Sequence, residues 1–255
     1  MAGSFPVAFA GRTSGPLMFP LPWGEGAEMA LLGQAALAMW WDIAPEVRAD
    51  FENWHSHEHF PERMGIPGFR RGSRWGSATG GEGFFVLYEL EAHETLSSPH
   101  YLASLNSPTP WSTRMMPHHR NMVRSQCHVL KTHGGGVSRH ALTLRLSPAQ
   151  GRKDELQAYC SALIDVLVSR PGLTGAHLLR HETPAIAATT EQKLRKGADQ
   201  AADWIFFVCG YDAAALTSLQ GAELGAAALG SHGAAPGLAS GLYLLSYTAT
   251  SADVS

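Results

Sequence analysis

Gly65-Ile66-Pro67-Gly68-Phe69 in the first half of the chain returns as Ser169-Arg170-Pro171-Gly172-Leu173 in the second, and what flanks one flanks the other. Upstream of the first lie the apolar run 35–43 (AALAMWWDI) and a helical stretch; upstream of the second lie 139–146 (RHALTLRL) and another. Downstream, Gly83-Phe84-Phe85-Val86-Leu87-Tyr88 answers to Trp204-Ile205-Phe206-Phe207-Val208. Short polar helices are expected over 95–105 and 213–224, and closing strands over 122–131 and 242–248. Each half thus reads strand-helix-strand-strand-helix-strand, the order of the ferredoxin-like split unit. One such unit carries helices on one face of its sheet and leaves the other face bare. Two units in one chain bury both bare faces by packing sheet to sheet. The predicted fold class is therefore α+β, built from tandem ferredoxin-like repeats. The expected boundaries are a disordered tail over 1–33, a first repeat over 34–133 that holds the active half, and a second repeat over 137–250. Three glycines at 134–136, poor in regular structure, separate them. The second repeat holds an insertion over 182–201 without counterpart, including a charged helical run, Glu191 to Arg195.

Composition narrows the class. The 255 residues are 45% hydrophobic and 16% charged, which excludes wholesale disorder. The net charge is −3, from 19 Lys+Arg against 22 Asp+Glu, so no basic excess draws in phosphate backbones and no nucleic-acid partner is expected. The cysteines, Cys127, Cys160 and Cys209, are widely spaced and form neither a disulfide framework nor a zinc knuckle. They suit a reducing compartment, and a cytoplasmic location is expected. No stretch approaches the ~20 apolar residues of a membrane span. Prolines and glycines throughout 1–28 break any continuous apolar helix, which argues against a secretory signal, and Met29 is an alternative natural start. The one unusual count is 13 histidines.

The two repeats differ in their first helix. In the second repeat Leu156, Tyr159, Leu163, Val166 and Leu167 form one apolar stripe. In the first, Phe51, Trp54, His55, Glu58 and His59 stand in the equivalent positions. The segment 51–69 reads FENWHSHEHFPERMGIPGF. Its Trp54, Glu58-His59, Phe60-Pro61 and Pro67-Gly68-Phe69 resemble the dimeric α/β-barrel superfamily, most closely the EthD-like and antibiotic-biosynthesis-monooxygenase-like branches. The agreement in strand order extends over most of residues 35–249, while the second half keeps only Pro171-Gly172 of the motif. The resemblance implies a pseudo-dimeric α/β barrel, and it carries a functional histidine over once, onto His59. The superfamily includes cofactor-free monooxygenases, cyclases, isomerases, decarboxylases and haem-binding enzymes, so the motif speaks for fold more than for reaction.

Several residues are candidates on chemical grounds. His59 stands two residues before Pro61, where the helix is expected to end, and an imidazole there can take or give a proton near neutral pH. The alternative is that it caps the helix C-terminus. His55 lies one turn earlier on the same face, and Glu58 or Glu62 is placed to orient either ring. The i,i+4 histidine pair is also a metal-ligand geometry, with His118, His119 or His128 as a third donor, but no CxxC or HExxH accompanies it and no metal is assigned. Trp40 and Trp41 are neighbours in the first strand and must face opposite ways; Trp40 and Tyr88 are taken as pocket aromatics, with core packing the alternative. Arg70 and Arg74 are expected on one face of the second strand and Arg71 on the other, with Arg74 the carboxylate anchor or else solvent-exposed. Trp111, Arg114, His118 and His119 are read as a loop over the pocket mouth, with Arg114, His118 and His128 contacting substrate. Cys127 reads as a buried, inert thiol. No Walker loop, GxGxxG or GxSxG occurs, so no cofactor is indicated.

The expected function is a cofactor-independent lyase or isomerase acting by decarboxylation or proton transfer on a small aromatic or unsaturated carboxylic acid in catabolism. His59 serves as general acid/base, assisted by His55. The alternatives are a cofactor-free monooxygenase of the same superfamily, a haem-dependent enzyme, and a non-catalytic binder of hydrophobic ligands. The expected partner is a small-molecule substrate, without a membrane, and with room for a homodimer.

Overall fold

A computed structural model describes residues 31–195 and 199–254. Eight strands close into a barrel in the order β1-β3-β2-β8-β5-β7-β6-β4, with every neighbouring pair antiparallel. The first repeat supplies β1 (Ala35–Asp42), β2 (Phe69–Ser77), β3 (Gly83–Leu90) and β4 (Arg120–Gly134). The second supplies β5 (His140–Leu146), β6 (Leu173–His181), β7 (Trp204–Gly210) and β8 (Ala239–Thr250). The closing strands join the halves. β4 pairs with β1 over residues 120–128 and then with β6 over 127–134. β8 pairs with β5 over 239–244 and then with β2 over 243–250. The two sheets are therefore one closed sheet, and no bare sheet edge is left.

β1, β3 and β7 are apolar on both faces over most of their length, as strands covered on both sides require. In β1, Ala36, Ala38 and Trp40 face the barrel interior, while Ala35, Leu37, Met39 and Trp41 face the helices. Outside the first half lie α1 (Pro45–Trp54), α2 (Phe60–Met64), α3 (Pro99–Asn106) and α4 (Pro110–Met115). Outside the second lie α5 (Lys153–Leu167), α7 (Ala213–Gln220) and α8 (Ala226–Ser231), while α6 (Thr190–Leu194), from the insertion, lies over the first half. Ser98 and Thr109 cap α3 and α4 through their hydroxyls, each followed by a proline whose missing N–H costs nothing in the first turn. Thr189 and Gln192 form a reciprocal capping box on α6, within the insertion. Among the described residues no helix is long and apolar enough to cross a membrane.

Three expectations need correction. Residues 110–118 are not a loop: α4 and a 3-10 turn over Met116–His118 occupy them. The tail does not reach residue 33, because Leu31 is fully buried and the Leu32 N–H donates to Glu89 Oε2. The rest of the tail, with Met29, lies outside the described residues. Third, a bulge between Phe69 and Arg71 resets the second strand: Arg70 sits at the surface beside Glu91, and Arg71 turns inward to a two-pronged pair with the buried Glu89.

Candidate active site

The helix of the first repeat does not stop at His59. α1 passes into a π-turn over His55–His59, in which the Phe60 N–H donates to the His55 carbonyl, and α2 carries the helix on to Met64. Pro61 accounts for the widening, since its ring has no N–H to give and would crowd the carbonyl four residues back in a regular helix. His59 is thus a mid-helix residue, and it caps no C-terminus. The turn also sets which histidines point inward. His55 and His59 are buried with ring centroids 5.3 Å apart, whereas His57 is exposed beside the Asn53 carbonyl. His119, from the turn after α4, completes a cluster around Trp41, whose ring lies 5.8 Å from that of His55 and 5.1 Å from that of His119.

These groups line a cavity of about 40 Å³, together with Tyr88 of β3 and the guanidinium-bearing residues Arg63, Arg124 and Arg195. The insertion roofs it with Thr189, Glu191 and Gln192. A water needs roughly 10–15 Å³ and a benzene-sized guest roughly 150 Å³, so the cavity as it stands holds a few waters and no aromatic ring. The roof is latched from inside. Arg63 Nη2 meets Glu191 Oε1 at 2.5 Å with both side chains 3% exposed, and Arg63 also reaches Glu62 and Ser104. Against the cost of burial, Glu191 and Glu62 hold the Arg63 guanidinium firmly charged.

Burial keeps the imidazoles neutral. His55 is lowered well below the usual histidine range by burial and then by Arg74, and His59 by burial and then by Arg63. His119 falls to about 3, from burial and the charge of Arg195, although it bonds the Met116 carbonyl. Burial pushes the Tyr88 hydroxyl far above its ordinary value, so it too stays neutral. Four buried polar atoms on the lining residues have no hydrogen-bond partner among the described residues: His55 Nδ1, His59 Nδ1, Tyr88 Oη and Trp41 Nε1. Unsatisfied polar atoms at this density are rare in a closed core and mark a place where water or ligand completes the bonding. Glu62 Oε2, likewise unpartnered, stands 4.0 Å from His59 Nδ1 and is the carboxylate placed to orient that ring. Glu58 is engaged elsewhere, accepting from Trp54, Thr109 and Ser112.

Of the residues singled out in the sequence, the cavity brings together His55, His59, Tyr88 and His119. Trp40 is not there: strand alternation sends it into the barrel, where it stacks on Phe85 and donates to Thr143, and Trp41 takes the cavity position. Arg74 is buried on the helix side of β2 but is not a lining residue. It is held by Ser246, Ser56 and the Glu52 carbonyl over the Tyr247 ring. Arg114 and His118 are exposed on the outside of their helical segment. His128 stacks on His93 in a separate open groove between the two halves. Cys127 is fully buried in the barrel with its thiol pushed up by burial. Among the described residues no group of three or more histidine, cysteine, aspartate or glutamate side chains is placed to hold a metal ion. Arg63, Arg124 and Glu191 escaped the sequence. The charged run in an insertion without counterpart was the only sign of Glu191, and nothing marked Arg124 beyond its place in a strand.

No family profile and no curated protein sequence matches the chain. Solved structures do. An anthrone oxidase-like protein superposes with a TM-score of 0.60 at 11% identity, over 88% of this chain and 96% of that one. A candidate monooxygenase from Fusobacterium nucleatum gives 0.57 at 7% identity, over 86% and 96%. Another from Lactobacillus acidophilus gives 0.54 at 9%, over 86% and 97%. Likeness at such identities is likeness of fold, and it spans nearly the whole of both chains in each case. The fold is accordingly the one these solved structures show, an eight-stranded antiparallel barrel wrapped by helices, with both halves of the barrel supplied here by one polypeptide.

Proposed function

We propose that the protein is a cofactor-independent enzyme that removes a proton from a small aromatic or unsaturated acid, with His59 as the base and His55 beside it. What supports this most is the pair of buried imidazoles on the π-turn, each neutral and each with an unpartnered Nδ1 in a roofed cavity. A neutral imidazole accepts a proton, and a cavity roofed against bulk solvent limits the water that competes for it. Glu62 steadies the imidazolium that forms, and the Tyr88 hydroxyl is a neutral donor for oxygen on the substrate. Because the cavity is too small for a ring, the roof over 189–195 has to lift for the substrate to enter, which means parting Arg63 from Glu191.

Two fates are open to the carbanion. In the lyase or isomerase, it is reprotonated elsewhere, or it arises by loss of carbon dioxide and takes the proton back. In the monooxygenase, it reduces dioxygen to a peroxide, which leaves water and one oxygen atom on carbon. The names of the structural relatives favour the second. The discriminating experiment is a substrate panel of phenols, anthrone-like ketones and unsaturated acids, followed by oxygen uptake and by solvent deuterium in recovered substrate. Oxygen uptake identifies the monooxygenase; deuterium or carbon dioxide without uptake identifies the isomerase or lyase. A His59→Gln variant that retains full turnover removes His59 from either scheme.

A further inference from the structure

The three guanidinium groups around the cavity are not equally compensated. Arg63 has Glu191 and Glu62, and Arg195 has Asp199 at 2.7 Å. Arg124, on β4, is 7% exposed. Its Nη2 donates to the Tyr101 hydroxyl at 2.9 Å, and no carboxylate of the described residues forms an ion pair with it. A guanidinium has five N–H donors, so a single neutral acceptor leaves most of them unused, and an unpaired charge withdrawn from water is costly. Arg74 is the useful contrast. It too has no carboxylate partner among the described residues, but three oxygens and an aromatic face surround it, and it does not line the cavity.

The other unpartnered atoms sort by chemistry. Trp41 Nε1 can only donate, and the neutral Tyr88 hydroxyl can donate. With Arg124 they make three donor groups short of an acceptor. The imidazole nitrogens of His55 and His59 are the groups able to take a proton. A ligand that satisfies both sets carries anionic oxygen and, near it, a removable proton. We propose that the cavity binds an organic anion, its charged oxygen paired with Arg124, so that Arg124 is the residue that selects acidic substrates. The proposal rests on the proton-transfer reading for its purpose but not for its test, which measures binding alone.

The test is calorimetric titration of the protein with formate, acetate and benzoate, each against its neutral amide, and with 4-nitrophenol, which absorbs visible light as the phenolate. The first three ask whether a carboxylate is taken; the colour change asks whether a phenolate or enolate is. Binding by either source supports the proposal. The anion is expected to bind at least about tenfold more tightly than the amide, and Arg124→Gln to weaken it by about tenfold or more, the scale of a charge-assisted bond. Arg124→Lys, which keeps the charge and loses the fork, is expected to recover part of the affinity. Melting curves of both variants show whether they fold, and the lysine variant carries the test if the glutamine one does not. Amides that bind as well as anions, an Arg124 variant with undiminished affinity, or no anion binding at about 10 mM overturns the proposal. Loss of turnover in His59→Gln with anion binding intact is read separately, so the two ideas fail independently.

Discussion

The first helical segment of each repeat sits at the same place on the same barrel, and the two are filled in opposite ways. α5 presents Leu156, Cys160, Leu163, Ile164 and Leu167 to a sheet face of Leu142, Leu144, Phe206 and Val208, and the buried cluster they form contains no histidine, carboxylate or guanidinium. Its counterpart presents Phe51 and Trp54, then His55 and His59, and a third histidine closes in from the turn after α4. Packing density demands that every gap be filled, and five apolar side chains do that at no electrostatic cost. Replacing some of them by neutral imidazoles leaves nitrogens without partners. One repeat serves stability, and the other gives up some stability to hold groups that can take protons.

The sharpest way to break this comparison is to exchange what the two helices carry. His59→Gln keeps size and hydrogen bonding but cannot move a proton near neutral pH. Turnover is expected to fall by ~10²–10⁴ with the melting temperature little changed. A variant that melts early yet turns over normally returns His59 to packing. In α5 the quantities should trade places. Ile164→Ala is expected to cost about 2–5 kcal/mol in urea unfolding, with the turnover of the folded fraction preserved. Turnover that collapses while the protein remains folded would show that the second repeat also serves the chemistry.

A pH series sharpens it further. The unfolded chain has histidines of ordinary pKa, near 6.5, and so binds protons that the native protein refuses. Stability is therefore full above about pH 6.5 and is lost as pH falls toward the depressed native values, by up to about 1.4 kcal/mol per pH unit for each such imidazole. His55, His59 and His119 contribute this in the first repeat, where Arg63, Arg74 and Arg195 face them. In the barrel His177, also at about 3, adds its own share. Replacing His119 by Phe is expected to flatten the dependence of the urea midpoint between about pH 7.5 and 5.5 by close to one proton's worth. An unchanged slope would mean that His119 is protonated in the native state.

How much of this the sequence disclosed follows the range of the interactions. The barrel was legible because apolar runs recur in the same order in both halves and the Pro-Gly pairs punctuate both alike. His55 and His59 were legible because a polar pair interrupted a stripe that the twin helix keeps apolar. The π-turn was not, since helix geometry at Pro61 depends on how the following turn packs. Trp40 and Trp41 were interchangeable until β1 acquired neighbours on both sides. Arg124 and Glu191 come from parts of the chain distant from the motif, and only the closed barrel and its roof bring them to His59.

The smallest effect tests the likeness of the repeats rather than their difference. Gly68 and Gly172 adopt φ of 92° and 91°, the left-handed region where a side chain is strained. A Cβ on Gly68 would stand 2.6 Å from Thr95 Oγ1, and one on Gly172 would stand 2.6 Å from the Ala215 Cβ. Each glycine lets the chain turn from helix into strand beneath the segment that follows the third strand of its own repeat. Alanine at either site should therefore cost about 1–3 kcal/mol. The neighbours refine the expectation. A threonine side chain can rotate away about χ1, whereas Ala215 has no such freedom and moves only with α7, so Gly172→Ala should be the costlier of the pair. Urea unfolding of both variants measures it. Equal or reversed costs would show that the backbone conformation, and not the contact above it, sets the demand for glycine in both halves.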